Sequence, residues 1–172
     1  MPPRSPVRFL GLVSIFISLL VFSACSPRFD WREVRDSKAP LRILMPAKAL
    51  AFSESVKLAD QTLTMHMTAA EAGQVSFAVG SVELNNRDDG GLVLAAMRQG
   101  MIKNIHGTVT KDSGGPNGVL EIIGSLQNGT PVFMAARFIA HGQWVYQLII
   151  LGPPKKVTPE VVDTFMTSLV LE

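Results

Sequence analysis

The chain has 172 residues, of which 47% are hydrophobic and 17% charged, and its formal net charge is +2. It contains no stripe of lysine and arginine with interleaved aromatic residues, which is the pattern typical of a nucleic-acid-binding surface. We therefore expect no nucleic-acid partner. Because the sequence has only 1 cysteine, an internal disulfide is excluded.

The first 24 residues have the layout of a secretory signal. Arg4 and Arg8 precede residues 9–24, an uncharged run of 16 residues that ends in small side chains. As a helix this run spans roughly 24 Å, less than the roughly 30 Å hydrocarbon core of a bilayer, so a permanent transmembrane helix is the weaker interpretation. We predict a signal peptide over residues 1–24.

The single cysteine, Cys25, follows the apolar run directly. Ordinary signal peptidase requires a small residue three positions before the cut, where this chain has Phe22. The stretch "LVFSACS" resembles the lipobox of bacterial lipoproteins, with Phe22 in the place where leucine is usual. The resemblance implies that Cys25 is lipidated as the first mature residue, on the periplasmic side of the bacterial cell envelope, and Ser26 favours the outer membrane. The alternative is a buried or reactive free thiol.

Cleavage before Cys25 leaves 172 − 24 = 148 residues. This length suits one domain that buries about two-thirds of its unfolded surface. Cleavage removes Arg4 and Arg8 from the 16 basic residues and none of the 14 acidic ones, so the mature net charge is 14 − 14 = 0.

Residues 25–40 are polar and mixed in charge, and we interpret them as the lipidated N-terminus and a tether. Trp31 in this range has two interpretations. Its ring lies at the lipid headgroups, or a short helix packs Trp31 and Val34 on the domain. The domain itself is predicted to cover residues 41–172.

Strand patterns dominate the first half of that domain. Residues 41–46 alternate and stop at a proline, whereas residues 51–58 are ambiguous. The next strand is predicted to bury Leu63, Met65 and Met67 and to expose Thr62, Thr64, His66 and Thr68. The same alternation then returns at Val75, Phe77 and Val79.

A helix is predicted between Gly91 and Asn104, with Asp88 or Asp89 as its N-cap. Its apolar positions are Leu92, Ala95, Ala96, Met97 and Ile102. Four strands follow, at residues 105–111, 119–127, 131–141 and 143–151, joined by hairpin loops. Thr158, Pro159 and Glu160 then begin a last helix. That helix is predicted to bury Val162, Phe165, Met166 and Leu169.

This order of elements predicts an α+β fold with an antiparallel sheet of about six to eight strands flanked by helices. The segments "ILMP", "FAVGSVEL", "LVLAAMRQGMIKNI", "FMAARFIAHGQWVYQLIILG" and "TFMTSLVLE" resemble the PsbP-like fold. The likeness covers roughly residues 40–172 and implies an α/β/α sandwich used mainly as a protein-binding module. It implies no catalytic, cofactor or metal residues.

The side chains that carry chemistry show no recognised pattern. His66, His106 and His141 do not lie three or four residues from one another or from a cysteine or glutamate, as local metal ligands do. Ser113 stands in a hairpin loop rather than in a nucleophile elbow. Six methionines fall on strand or helix faces: Met65, Met67, Met97, Met101, Met134 and Met166. They are core filler or line a pliable groove.

Two functions remain open from the sequence. The leading hypothesis is a non-enzymatic, lipid-anchored and periplasm-facing domain that binds another envelope protein. The alternative is a carrier or sensor of a small apolar ligand held between helix and sheet. The first predicts no pocket with convergent polar groups, and the second predicts an apolar cavity lined by some of the methionines.

Overall fold

The computed structural model describes residues 28–115 and 117–172, and in this part the chain forms ten strands and two α-helices. The strands are β1 (Arg32–Arg35), β2 (Leu41–Met45), β3 (Leu50–Leu58), β4 (Gln61–Ala72), β5 (Val75–Glu83), β6 (Thr108–Asp112), β7 (Leu120–Ser125), β8 (Pro131–His141), β9 (Trp144–Gly152) and β10 (Val170–Leu171). The helices are α1 (Gly90–Asn104) and α2 (Pro159–Thr167).

Seven of the described strands form the main sheet, in the order β3-β4-β5-β9-β8-β7-β6, and β1, β2 and β10 form a small sheet in the order β1-β2-β10. All pairs are antiparallel. The predicted α+β fold with a sheet of six to eight antiparallel strands is confirmed, as is its sandwich architecture. A strand at residues 41–46 was predicted, and the PsbP-like resemblance implies a short closing strand, but their pairing in a small sheet was not predicted, and β1 is too short to show an alternating pattern.

The main sheet is covered on both faces. On one face, α2 and the small sheet enclose a core that includes Phe77, Tyr146 and Phe165. On the other face, α1 lies over two clusters, one around Val82 and Val93 and one that includes the buried residue Ile105. Because β9 lies at the centre of the sheet, it is buried on both faces, and its residues are apolar almost without alternation. The neighbouring β5 begins with the predicted alternation, with Ser76 exposed, and is buried on both faces from Val79 to Val82.

The predicted wet face of β4 is only half correct. Thr62 and Thr64 are exposed, but Thr68 is 3% exposed. The hydroxyl of Thr68 donates a 2.8 Å hydrogen bond to the Asp36 carboxylate, which lies in the loop between β1 and β2. That loop lies over Thr68, so a threonine predicted to face solvent is buried with its hydroxyl satisfied.

The first helix has the predicted extent, and Met97 is buried as predicted, but the rest of the buried face differs. Val93 and Met97 are buried, whereas Leu92 is 64% exposed. The cap also differs: the Asn86 side chain accepts a hydrogen bond from the backbone of Asp88, in a short helical turn that precedes α1. Asp89 occupies the cap position without capping and instead accepts from the Gln61 side chain at 2.8 Å.

Residues 28–40 are part of the fold, although we assigned residues 25–40 to a tether. β1 pairs with β2, and Trp31 packs edge-on against Phe77 with ring centroids 5.6 Å apart. Trp31 therefore lies on the domain, at the start of a strand and not in the short helix that we considered. Cys25 and the predicted signal peptide, residues 1–24, lie outside the described residues.

Within the described residues, neither α1 nor α2 has the length and apolar character needed to cross a bilayer.

Candidate functional site

An open groove of about 950 Å³ lies between α2 and the outer strands of the main sheet. It exists because the core on this face is concentrated on the inner strands, and β7 and β6 extend beyond the cover of α2 and the small sheet. The apolar lining consists of Val119, Phe133, Val157, Pro159, Val162, Met166 and Leu169. The polar lining consists of Lys111, Ser113, Asn117, Glu121, Arg137, Asp163 and Thr167.

Helix α2 forms one wall of the groove. Thr158 stands at its N-cap and Pro159 follows in the first turn, as predicted, although the Thr158 side chain makes no capping hydrogen bond among the described residues. The helix buries Val161, Phe165 and Met166 against the sheet. Val162, predicted to be in the core, is only half-buried and turns toward the groove.

Arg137 connects the floor of the groove to this wall. It lies on β8, and its Nη1 donates a 2.7 Å hydrogen bond to the carbonyl oxygen of Met166 in the last turn of α2. Its Nη2 donates to the side-chain oxygen of Asn117 in the loop between β6 and β7. Partial burial lowers the pKa of Arg137 from its ordinary value. The guanidinium thus satisfies one of the terminal helix carbonyls and holds α2 in register with the sheet.

The remaining charges of the groove balance one another. Lys111 on β6 stands directly opposite Glu121 on β7, and their side chains form an ion pair of 3.2 Å. Asp163 lies exposed on the α2 wall, and its carboxylate forms no ion pair within the described chain. With two cations and two anions, the groove has no net charge.

The charged side chains of the groove are occupied by one another and by neighbouring backbone groups. Lys111, Glu121 and Arg137 are engaged with neighbouring groups and do not converge on an empty centre, as a general acid or base would have to do. Ser113 also lines the groove, in the loop after β6. In the part of the chain that the structure describes, no three His, Cys, Asp or Glu side chains lie close enough together to hold a metal ion.

None of the three histidines lines the groove. The Nδ1 atom of His66 lies 2.7 Å from the hydroxyl of Ser53, on the edge strand at the opposite side of the sheet. His106 and His141 are exposed, at the end of α1 and at the end of β8. Of the six methionines named from the sequence, Met166 lines the groove. The other five lie in or against the two apolar clusters under α1.

Neither the groove nor the role of Arg137 was predicted from the sequence. One signal was present: Arg137 interrupts an otherwise apolar run in a strand that the sequence placed correctly. A charged residue in the middle of a buried strand needs a partner. That partner, the last turn of α2, could not be inferred because it lies 29 residues further along the chain.

Comparison of the chain with known protein families and with curated proteins found no match.

Proposed function

We propose that this protein is a non-enzymatic, lipid-anchored domain of the bacterial cell envelope, and that its groove binds an extended segment of another envelope protein. Lipidation of Cys25 is supported by the lipobox-like stretch, and Ser26 favours the outer membrane. The mixed α+β sandwich is compatible with the PsbP-like resemblance, which remains part of the proposal.

The groove is the observation that carries this proposal. It is open along one side, its walls present apolar side chains such as Phe133 and Val162, and its charged groups are already paired or face outward. An extended peptide can place alternate apolar side chains on such walls and leave its polar side chains in water. The free carboxylate of Asp163 on the rim gives a contact for a basic side chain of the partner.

A carrier of a small apolar ligand is the second candidate. The groove volume of about 950 Å³ falls in the range of small-molecule sites. Against this candidate, half of the lining is polar, and of the methionines that we predicted to line such a cavity only Met166 does so. Native mass spectrometry of the purified chain tests it, because a retained ligand adds a discrete mass.

In-cell photo-crosslinking tests the leading proposal. A photoreactive amino acid at Val162 lies in the groove, and the matched control at Leu92 lies exposed on α1, on the opposite face of the sheet. We expect one envelope protein to crosslink from position 162 and not from position 92, and only when Cys25 is present rather than replaced by alanine.

A charge exchange then tests the identity of the contact. Asp163→Lys is expected to abolish the crosslink, and a compensating acidic substitution in the captured partner segment is expected to restore it. Equal capture from positions 162 and 92 would contradict the assignment of the groove as the binding site. Capture that is unchanged in Cys25→Ala would contradict the need for the anchor.

A further inference from the structure

The first residues that the structure describes are fixed at one end of the main sheet. The Nη2 atom of Arg28 donates hydrogen bonds to the carbonyl oxygen of Gly73 at 2.9 Å and to that of Lys156 at 3.3 Å. The Arg28 guanidinium also lies 5.1 Å from the centre of the Phe29 ring, and Phe29 packs on Phe77 in the core. The path is therefore held from residue 28 onward.

We call this end of the molecule the basal end and define it by Arg28, Lys48, the turn at Gly73 and Gln74, and the loop Pro153–Lys156. The antiparallel topology brings these parts together, since β4 ends and β5 begins at this turn, and β9 ends at this loop. Lys48 lies two residues after Pro46, whose carbonyl oxygen accepts a 2.8 Å hydrogen bond from the backbone of Asp30.

The basal end is basic. Arg28, Lys48, Lys155 and Lys156 are all exposed. The exposed acids beside them are Asp30, two residues after Arg28, Glu71 before the turn, and Glu160, four residues after Lys156, so the four cations outnumber the three acids. Asp30 is engaged by Arg32 in an ion pair. The opposite end of the sheet carries four acids, Asp60, Glu83, Asp88 and Asp89, with Lys57 and Arg87. The described chain is thus polarised along the strands although its total charge is balanced.

From these observations we propose that the basal end docks on an anionic phospholipid surface through Arg28, Lys155 and Lys156. This inference rests on the proposed lipidation of Cys25. Cys25 precedes Arg28 by three residues, which span at most about 10 Å. That reach is close to the screening length of about 8 Å at physiological salt, so the basic side chains lie within the field of the headgroups.

Fluorescence quenching in vesicles tests the docking on the full chain produced in bacteria. Acylation blocks the Cys25 thiol, so Pro154→Cys at the basal end and Asp88→Cys at the opposite end each supply a single site for a fluorophore. In vesicles that contain phosphatidylglycerol and a quencher lipid, we expect strong quenching at position 154 and little at position 88. Equal quenching at both positions, with Cys25 acylated, overturns the docking.

Neutralising the lysines tests the role of charge. Each basic residue near an anionic surface contributes about 1 kcal/mol, or roughly a fivefold change, so Lys155→Gln with Lys156→Gln is expected to lower the docked-to-undocked ratio about 25-fold. The control, Lys38→Gln with Lys57→Gln, removes the same charge away from the basal end and is expected to leave the ratio unchanged. Equal effects of the two pairs overturn the inference.

A spacer separates docking from simple tethering. About 15 glycine and serine residues inserted after Ser26 add roughly 20 Å of flexible chain. We expect quenching at position 154 to persist with phosphatidylglycerol and to fall with phosphatidylcholine alone. Loss in both kinds of vesicle overturns docking, because the short link alone then caused the proximity. Mass spectrometry of the same samples separates the lipid-anchor proposal from the docking proposal. An unmodified Cys25 would contradict both proposals. A lipidated Cys25 would support the anchor, whatever result the quenching gives for docking.

Discussion

Replacing Phe165 by alanine is expected to destabilise the domain strongly and to loosen the α2 wall of the groove. Phe165 is fully buried, and its ring meets Phe77 edge-on with centroids 5.4 Å apart. A Phe→Ala change in a core costs about 3–5 kcal/mol, of which the aromatic pair contributes about 0.5–1.5 kcal/mol. This loss of stability comes from the contact between Phe165 on α2 and Phe77 on the sheet, which holds the helix in place.

Urea denaturation of the full chain measures this loss as a shift in the free energy of unfolding. At about 2–4 °C for each kcal/mol, the melting temperature is expected to fall by roughly 10 °C. Leu92→Ala serves as the control, because Leu92 is 64% exposed and its truncation is expected to cost less than about 0.5 kcal/mol. A loss below about 1 kcal/mol for Phe165→Ala would refute the packing of α2 described above.

Four further substitutions test other parts of the fold. Tyr146→Phe is expected to raise the free energy of unfolding, measured with urea, by about 1 kcal/mol. The reason is that the buried hydroxyl of Tyr146 has no hydrogen-bond partner among the described residues. A loss of stability would show that this hydroxyl does form a hydrogen bond. Burial also raises the pKa of Tyr146 from 10.0 to about 12. As the pH rises above 10, the Tyr146 hydroxyl therefore ionises in the unfolded chain before it does so in the folded protein, and the free energy of unfolding is expected to fall between pH 10 and 12. The phenylalanine variant is expected to lack this decline. Gly80→Ala is expected to destabilise the protein by about 1–3 kcal/mol, because an added Cβ would lie 2.8 Å from the Met67 sulfur. Gly100→Ala in α1 is expected to stabilise it by up to about 1 kcal/mol, because an added Cβ there meets nothing within 4 Å. Equal shifts of the two melting temperatures would contradict the packing described at these glycines. The hydrogen bond from Arg35 lowers the pKa of Glu172 below its ordinary 4.5. The ionised Glu172 therefore stabilises the folded protein above that pH, and this stabilisation is lost on acidification. Glu172→Gln is expected to reduce the loss of stability at acid pH, and an unchanged loss would count against this ion pair.

The hairpin strands were predicted well because the residues at their ends determine where each strand begins and stops. β8 has the predicted limits, Pro131 and His141, since a proline begins it and the turn that follows contains Gly142 at a φ of 60°. The start of α2 was equally local, with a proline in its first turn. Turn chemistry acts over three or four residues and needs no tertiary contact.

Burial was predicted less well, because it depends on what covers an element. Thr68 is buried by a loop that we assigned to the tether, and Leu92 is exposed because α1 turns its Val93 and Met97 side toward the sheet. A helix with small and apolar residues on several sides does not show from its own sequence which side is covered. Arg137 was missed for the same reason.

The sequence by itself determined the α+β class, the antiparallel hairpins, both helices and the prediction of a lipid anchor at Cys25. These follow from periodicity, turn residues and one cysteine after an apolar run. Only the tertiary structure decided that β5 pairs with β9, that β1 and β10 flank β2, and that a groove and a basic end result. The physical reason is distance along the chain: Ser76 pairs with Leu151, and such contacts depend on the packing of whole elements rather than on any local pattern.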